Sequence, residues 1–507
     1  MPDTSIISPY VVRLGGGLIL DRDSFSIPPG AAIQLQNFEP DIRGGYRRIS
    51  GYAKYNSNIV PQTASADEPV LGVAIYEDEI IAARGEKVFK GGAIGSWTEI
   101  DSGRTNAGRY AFELYNMDNT EKIIWCDGAN HASEYDGTTV TDINGAGAPA
   151  DPSIVALFKN HMFFAGMSSN PQEVVFSAPY DPTSFSTATG AGSIRVDSPV
   201  VQLKSFRDRL FIFCTDQIYF LQGSSIADFQ LAPVTRSVGC LDGFSVQEIS
   251  GDLLYLAPDG LRTIAGTQKI ADVELGTISK QVQDRLDNLT LFNISSCVIR
   301  NKSQYRLFYP AEGQTTAQSL GIMGVIKANE QGGIGWEYAD IKGMRPSCCF
   351  SGFIGLTETT IQGGFDGYVY EQETGNTFDG TAIVAIYTSP DHIMGDAGIR
   401  KYMQRIVWNY TNEGVVDATF RVRYDFTSSD TPQPSTYDLQ TGGSVAIYGL
   451  AASAYGTAVY GSSGTPLIRQ TVEGSGFSVA IRVDDTSGNP PFSIKGYQLE
   501  FTPGGRR

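Results

Sequence analysis

The sequence predicts an all-β protein, a β-propeller of six or seven blades with a C-terminal β-sandwich-like module and one short inserted helix. The main observation is a unit of apolar strand, polar turn and apolar strand that recurs about seven times between residues 70 and 383. Its polar turns align at Asp78, Asn119, Asn160, Asp208, Asp252, Lys302 and Phe353, which are 41 to 51 residues apart. An all-β period of roughly 40–50 residues is typical of propeller blades. Several blades must form a ring, because a single blade cannot bury both faces of its sheet.

Length and composition agree with this fold class. The 507 residues suffice for several domains, and 57 glycines with only 18% charged residues fit a turn-rich β protein. We divide the chain into an N-terminal arm (1–60), the propeller (61–383) and a C-terminal β module (384–507). Both six and seven blades remain open, because Phe353 matches the other turns poorly.

The arm has turn signals at Gly15-Gly16-Gly17, Pro28-Pro29-Gly30 and Gly44-Gly45, and a short strand-like run at residues 32–35. Propellers often close their ring by pairing strands from both ends of the chain. This arm is therefore expected to take part in ring closure.

One segment of the repeat region has helical periodicity. The apolar residues Leu275, Ile278, Val282, Leu286 and Leu289 form one stripe of an amphipathic helix that runs to about Asn288. It lies between the fifth and sixth units, so we expect it to pack outside the blades.

The last part of the chain loses the long period but keeps apolar–polar alternation, as in residues 420–424 and 477–483. Alternation with a period of two indicates a half-buried antiparallel sheet, so we predict a separate sandwich-like module. Residues 442–464 are rich in Gly, Ser, Ala and Tyr, and we expect them to form a long exposed hairpin or loop.

The sequence also indicates where the chain is made. No apolar run approaches the roughly 20 residues that span a bilayer, and charged residues interrupt the N-terminal apolar stretches of any leader. The six cysteines, Cys126, Cys214, Cys240, Cys297, Cys348 and Cys349, lack CxxC spacing. We therefore expect reduced, mostly buried thiols, synthesis in a cytoplasm and no membrane insertion.

The net charge of −17 is concentrated in the repeat region, which has 39 acidic and 22 basic residues. A solubilising surface explains this distribution most simply. A second interpretation is a surface that must not bind a polyanion passing nearby, since binding to nucleic acid needs clustered Lys and Arg.

No catalytic, cofactor-binding or metal-ligating residue is predicted. The histidines His131, His161 and His392 are scattered, and no nucleophile elbow, Walker loop or zinc-protease motif occurs. Asp484-Asp485 resembles a calcium loop only faintly, because the ligand spacing and the closing Glu are missing. Aspartates precede glycines at residues 127–128, 136–137, 259–260 and 366–367, where a tight turn explains them without a catalytic carboxylate pair. We expect a protein that is not an enzyme.

Four stretches resemble the packaged-DNA stabilisation proteins of short-tailed (podovirus) bacteriophages, which form the tail hub or nozzle. The first is residues 35–38 with Gly45-Tyr46-Arg47-Arg48 and Gly51-Tyr52; the second is residues 206–213 with 218–223. The third is residues 278–282, and the fourth is residues 478–483 with 492–500. None of these motifs is catalytic, and residues 442–464 have no counterpart in the family.

The resemblance implies a structural virion protein of the phage tail, made in the host cytoplasm. Such hubs form a homohexameric ring below the portal and adaptor, retain the packaged genome and conduct it at ejection. The implied partners are other copies of the chain, the adaptor or portal above, tail needle or tailspike and fibre proteins, and double-stranded DNA that passes without sequence-specific binding.

An alternative from another class remains open. Propellers have many functions, so this chain could instead be a glycan-binding module or a glycoside hydrolase that acts on a host surface. An acid pair or metal cluster outside the turns would favour the enzyme.

Overall fold

The structure is a computed structural model that describes residues 7–61, 68–106, 108–265, 277–287, 289–310, 319–328, 334–440 and 467–506. The helical elements in these ranges include the short 3-10 helices Thr187–Thr189, Gly243–Ser245, Lys280–Arg285, Arg300–Lys302 and Asp425–Thr427. Within the described ranges, none of the helices has the length and apolar character of a membrane span. The all-β prediction is confirmed.

The chain begins with five short arm strands and continues with five antiparallel blades. The arm strands are β1 (Ser8–Arg13), β2 (Gln34–Gln36), β3 (Phe38–Pro40), β4 (Tyr46–Arg48) and β5 (Tyr52–Lys54). The first blade has β6 (Val70–Tyr76), β7 (Glu79–Arg84), β8 (Lys87–Gly91) and β9 (Thr98–Asp101); the second has β10 (Ala111–Asn116), β11 (Glu121–Cys126), β12 (Ser133–Tyr135) and β13 (Val140–Asp142). The third has β14 (Ile154–Phe158), β15 (His161–Ala165), β16 (Glu173–Phe176) and β17 (Gly192–Arg195); the fourth has β18 (Val200–Phe206), β19 (Arg209–Cys214), β20 (Ile218–Gln222) and β21 (Gln230–Thr235). The fifth has three strands, β22 (Gln247–Ile249), β23 (Asp252–Ala257) and β24 (Gly260–Thr263).

Two further sets of strands complete the ring. The strands β25 (Ser295–Ile299), β26 (Gln304–Pro310), β27 (Ser319–Ala328) and β28 (Ile334–Lys342) form one meander. The sixth blade follows with β29 (Pro346–Ile354), β30 (Thr357–Gly364), β31 (Val369–Gln372), β32 (Thr377–Phe378) and β33 (Thr381–Ala382). The inner strand β29 contacts β25 on one side and β6 of the first blade on the other, which closes the circle.

Six sheets are thus separate blades, and the first four strands of a larger sheet occupy the remaining sector of the ring. The repeat unit around Lys302 belongs to this larger sheet, whereas the poorly matching Phe353 lies in the sixth blade. The arm closes the ring as expected, because β5 pairs with β31, with Lys54 opposite Tyr370. The propeller therefore includes arm residues before the expected boundary at residue 61.

The blades pack face to face through separate apolar clusters. One cluster joins the first and second blades and includes Ile81, Ile123 and Trp125; another joins the third and fourth and includes Phe163 and Ile212. Each sheet thereby buries on its neighbours the faces that it could not bury alone.

The C-terminal strands form two facing sheets. They are β34 (Ala385–Thr388), β35 (Ile399–Asn412), β36 (Asp417–Tyr424), β37 (Tyr437–Gln440), β38 (Leu467–Thr471), β39 (Ser475–Gly476), β40 (Val479–Asp485) and β41 (Phe492–Arg506). A nine-stranded sheet has the order β25-β26-β27-β28-β2-β34-β40-β36-β37. A seven-stranded sheet has the order β3-β4-β41-β35-β38, with β1 added to β41 and β39 to β35.

The predicted sandwich-like packing is present, but the expectation that this module is separate is wrong. Trp408 of the seven-stranded sheet and Phe420 of the nine-stranded sheet meet edge to face, with ring centroids 5.2 Å apart. The nine-stranded sheet, however, continues from the ring sector through the arm strand β2 into the module, and one apolar core serves all three parts. Residues 442–464, expected to form a hairpin or loop, lie outside the described residues.

The predicted helix is shorter and of a different type than expected. Residues Lys280–Arg285 form a 3-10 helix, and Val282 within it has non-helical dihedral angles (φ −125°, ψ 21°). Its apolar stripe is nevertheless placed as predicted outside the blades, because Val282 and Leu286 are buried in the large C-terminal core. So short a segment gains little from helix propagation, and its conformation follows its packing. Leu275 and Asn288 lie outside the described residues.

Two-residue hairpins occur in five of the seven units, and in three of these the aligned residue lies in the turn itself. Asp78, Asn160 and Asp208 have φ values of 61°, 62° and 64°, and the residue before each also has positive φ. Such turns match the twist of paired strands and favour Asn, Asp and Gly. The sequence pattern placed Asp252 and Phe353 in turns, but both residues lie in strands. The corresponding turns are at residues 250–251 and 355–356.

Candidate functional site

The four Asp-Gly pairs are turns, as predicted. Gly128, Gly137, Gly260 and Gly367 have φ values of 75°, 93°, 116° and 82°, a region that only glycine adopts easily. The Asp136 carboxylate accepts hydrogen bonds from its own turn, from the N–H groups of Thr138 and Thr139 at 2.9 and 2.7 Å. Asp127 and Asp259 pair with Arg104 and Arg262. Local backbone geometry therefore accounts for these aspartates.

The three histidines lie apart from one another, each with its own partner. His131 Nδ1 is 2.8 Å from the Pro149 carbonyl, and His161 Nδ1 is 2.6 Å from the Ser177 carbonyl. His392 Nε2 is 2.7 Å from the Tyr497 hydroxyl, and burial lowers the pKa of His392 to about 4. The fold does not bring these rings together.

The carboxylates of the weak calcium motif are engaged by arginines. Asp484 pairs with Arg482 at 2.7 Å and Asp485 with Arg48 at 3.0 Å. Across the described ranges, no group of three or more His, Cys, Asp or Glu side chains is arranged to hold a metal ion. The six cysteines are unpaired, and all but the half-buried Cys349 are buried.

A cluster of buried polar and charged side chains lies between the arm, the sixth blade and the module. We call this cluster the arm junction. At its centre, Arg48 is fully buried and pairs with Asp485. The guanidinium also donates to two carbonyl oxygens, Nη1 to that of Asn489 at 2.8 Å and Nη2 to that of Asn376 at 2.5 Å, whereas its buried Nε has no hydrogen-bond partner among the described residues. One side chain thus joins strand β4, the segment before β32 and the β40–β41 connection.

A second residue of the arm junction is Asn37, which has φ 54° and is 1% exposed. Its Nδ2 donates to the carbonyls of Lys342 and Val384, both at 2.8 Å, and its Oδ1 accepts from the Lys342 N–H at 2.9 Å. Asn37 therefore connects the arm to strands on both sides of β2 in the nine-stranded sheet.

An ionic network extends the arm junction into the ring. Glu39 accepts hydrogen bonds from Arg47 at 2.9 Å and Lys302 at 2.7 Å. Lys302 and Arg306 of the ring sector also pair with Glu373 of the sixth blade. Burial alone would raise the pKa of Glu373, but these two cations hold it well below its ordinary value. Each charged member of the network thus has an oppositely charged partner.

The stretches that resemble the tail-hub family map onto structural positions. Asn37, Arg47 and Arg48 of the first stretch form the arm junction. The second stretch supplies a blade tip, where Arg207 donates to the Gly251 carbonyl and Asp208 pairs with Lys159. Neighbouring blade tips are bonded elsewhere too, as Gly355 donates to Asp78 at 2.6 Å. The third stretch leads into the 3-10 helix, and the fourth is β40 and β41.

A cleft of about 790 Å³ lies between the sixth blade and the nine-stranded sheet. Its aromatic side is Tyr52 stacked on Phe378, with centroids 5.1 Å apart, and Tyr370, which donates to Asp366 at 2.5 Å. Asp379 and the cations Lys342 and Arg345 complete the polar side, and both cations are exposed. The cleft is large enough for a small ligand.

Comparison with known proteins adds little beyond the fold. No family model matches the sequence, and no curated protein matches it significantly. Among solved structures, an ancestral GH74 enzyme is 9% identical with a TM-score of 0.39, over 65% of this chain and 49% of that chain. The Pan2 WD40 domain of Neurospora crassa is 10% identical (TM-score 0.35; 64% and 96% covered). The computationally designed Ika8 protein is 8% identical (TM-score 0.34; 62% and 99% covered). Such low identities and TM-scores give no information about function.

Sequence reasoning did not anticipate the arm junction as a site. Arg47 and Arg48 occurred in a motif noted only for its resemblance, and Asp485 was noted only for a faint likeness to a calcium loop. A signal was present, since two adjacent arginines follow a Gly-Tyr pair inside a short strand. Nothing local indicates, however, that the partners of Arg48 lie hundreds of residues away.

Proposed function

We propose that this chain is a structural protein of a short phage tail, forming a homohexameric hub or nozzle below the portal and adaptor. In this role it stabilises the packaged genome and conducts it at ejection, with tail needle or tailspike proteins as further neighbours. The observation that carries the proposal is the arm junction, which joins arm, propeller and module through buried ion pairs. A hub wall that retains DNA must resist deformation, and such cross-connections between sheets supply rigidity.

The proposal also needs a surface for ring contacts, and the outer face of the seven-stranded sheet is the best candidate. Val11, Val407 and Arg469 lie in one outward row across β1, β35 and β38, while Leu467 lies in the adjacent row. Val11 and Leu467 are each 62% exposed. An open sheet face with exposed apolar side chains is suited to a neighbouring copy, and head-to-tail contacts of this kind close into rings.

A second candidate function is supported by the cleft. Its stacked aromatic rings beside Asp366 and Asp379 would suit a sugar, as in a glycan-binding module or glycoside hydrolase. The glycan-binding function would depend on this one cleft, whereas the hub function depends on the contacts that join the arm, the propeller and the module.

The mass of the protein in solution distinguishes the two functions. For a hub, native mass spectrometry should find a ring of six 54.7-kDa chains, about 330 kDa, at micromolar concentration. A monomer that binds oligosaccharides on a glycan array would contradict the hub and support the second function.

A further inference from the structure

A cavity of about 380 Å³ lies on the axis of the propeller. Its wall comes from the inner strands of the six blades and from β25 of the ring sector. The charged side chains in this wall are Arg109, Glu113, Lys204 and Arg300. Three cations and one carboxylate therefore line a cavity in the region that has 39 acidic and 22 basic residues.

Arg109 is incompletely satisfied. Its guanidinium lies 3.7 Å from the centre of the Phe244 ring, and Nη1 donates to the Ile294 carbonyl. Its Nε is buried and has no hydrogen-bond partner, and no carboxylate in the described ranges forms an ion pair with it. Burial lowers the pKa of Arg109, and the charge of Asp242 offsets this only in part. Arg109 as a whole is half-buried, yet its buried Nε lacks the hydrogen bond that buried polar atoms normally make.

Lys204 on β18 is the second uncompensated cation. None of the described carboxylates forms an ion pair with Lys204. The charge of Lys204 does lower the pKa of Glu113, the carboxylic acid in the cavity wall. Glu113 accepts one hydrogen bond, from the Leu157 N–H at 3.3 Å. Burial raises the pKa of Glu113, and the charge of Lys204 offsets that effect incompletely. Arg300 has its own carboxylate partner, Glu358 at 4.0 Å, so Arg109 and Lys204 are the cavity cations that have no ion pair among the described residues.

We propose that the axial cavity is a binding site for a phosphate-type oxyanion, held by Arg109 and Lys204. A guanidinium presents parallel N–H donors that match two oxygens of such an anion, and an ammonium adds a compact charge. The anion would supply the acceptor that Arg109 lacks. This inference is independent of the hub, since it concerns the inside of one propeller.

Isothermal titration of the full-length protein with inorganic phosphate, at constant ionic strength, tests this site. The wild type should bind phosphate, and Lys204→Gln should weaken binding at least about tenfold because it removes a charge-assisted contact. Glu113→Gln should strengthen binding severalfold, because it removes the repelling carboxylate. The matched control Lys87→Gln loses the same charge in the outer part of the first blade, where Lys87 pairs with Glu99, and should bind like the wild type.

The opposite signs expected for Lys204→Gln and Glu113→Gln separate a lost site from a misfolded variant. A parallel titration with adenosine monophosphate shows whether the bound phosphate is a free ion or part of a larger molecule. Tighter binding of phosphate assigns a free ion, and tighter binding of the nucleotide, with the same dependence on Lys204, assigns a phosphate carried by a larger molecule. The site is refuted if no heat is seen up to about 10 mM of either anion. Equal binding by Lys204→Gln and wild type would also refute it.

Discussion

Arg48 and Asp485 form an ion pair 3.0 Å long across 437 residues of sequence, with side chains that are 0% and 1% exposed. The pair lies where the arm meets the module, and Nη1 and Nη2 of Arg48 also donate to two backbone carbonyls. The pair therefore connects the arm directly to the C-terminal module.

Removing one member of this pair should be strongly destabilising. We expect Arg48→Ala to lower the free energy of unfolding by about 3–5 kcal/mol, because Asp485 would remain buried without a counter-charge. The urea midpoint, followed by tryptophan fluorescence, measures the change. The control Arg22→Ala removes an exposed partner of Asp21 and should leave the midpoint unchanged. Equal midpoints for the two variants would contradict a structural role for the arm junction.

The Asp-Gly turn of the sixth blade should accommodate a side chain poorly, because the guanidinium of the buried Arg84 would have to move. Gly367 has φ 82°, and a Cβ there would lie 2.1 Å from Cζ of Arg84. Gly380 has a similar φ of 87° but nothing within 4 Å of its added Cβ. Gly380→Ala should therefore cost about 1–2 kcal/mol for the left-handed backbone alone. Gly367→Ala should cost clearly more, and a thermal unfolding scan that ranked the two in the reverse order would refute the packing argument.

His392 should make folding stability dependent on pH below neutrality. Burial lowers its pKa from 6.5 to about 4, so between these values the unfolded chain binds a proton that the folded chain does not. The contribution is present above pH 6.5 and decreases as the pH falls towards 4. Between pH 6.5 and 5 we expect a loss of about 1.5 kcal/mol that His392→Asn lacks. Tyr497→Phe keeps the imidazole and should keep the slope, and an unchanged slope in His392→Asn would exclude this assignment.

If Val11 and Leu467 contact a neighbouring copy, placing charges there should break the ring. We expect Val11→Glu and Leu467→Glu to reduce the assembly to smaller species in native mass spectrometry while the circular dichroism spectrum stays unchanged. Ile94→Glu is the matched control, because Ile94 is 95% exposed in the first blade. A ring that survives both module substitutions would place the subunit contact elsewhere, without deciding against the hub itself.

Duplex DNA should bind weakly if it only passes through the hub. The acidic excess of residues 61–383 should repel phosphates at close range, and we expect acidic residues of this region to face the channel of the ring. Fluorescence anisotropy at 0.15 M salt should give a dissociation constant no lower than about 1 mM. A micromolar affinity that decreases steeply with salt would mean that the hub holds its genome by direct contact.

The sequence by itself determined those features that depend on neighbouring residues. The repeat of strands and turns predicted a propeller, because blade hairpins are local and their tight turns need residues such as Asp78 and Asn160. The Asp-Gly pairs were interpreted correctly for the same reason, since positive φ is a property of the dipeptide. Alternation in the C-terminal strands predicted two facing sheets, because side chains on a strand alternate between the faces of the sheet.

Only the tertiary structure decided which charged residues are buried and which strands share a sheet. Arg48 and Asp485 look like surface charges in sequence, since burial depends on partners that loop closure brings from far away. The strand β2 is only three residues long, yet it connects the ring sector to the module. The charges of Arg109 and Lys204 meet in one cavity only because blades far apart in the chain point their inner strands at a common axis. Local sequence specifies each blade, and closure of the ring determines what the blades enclose.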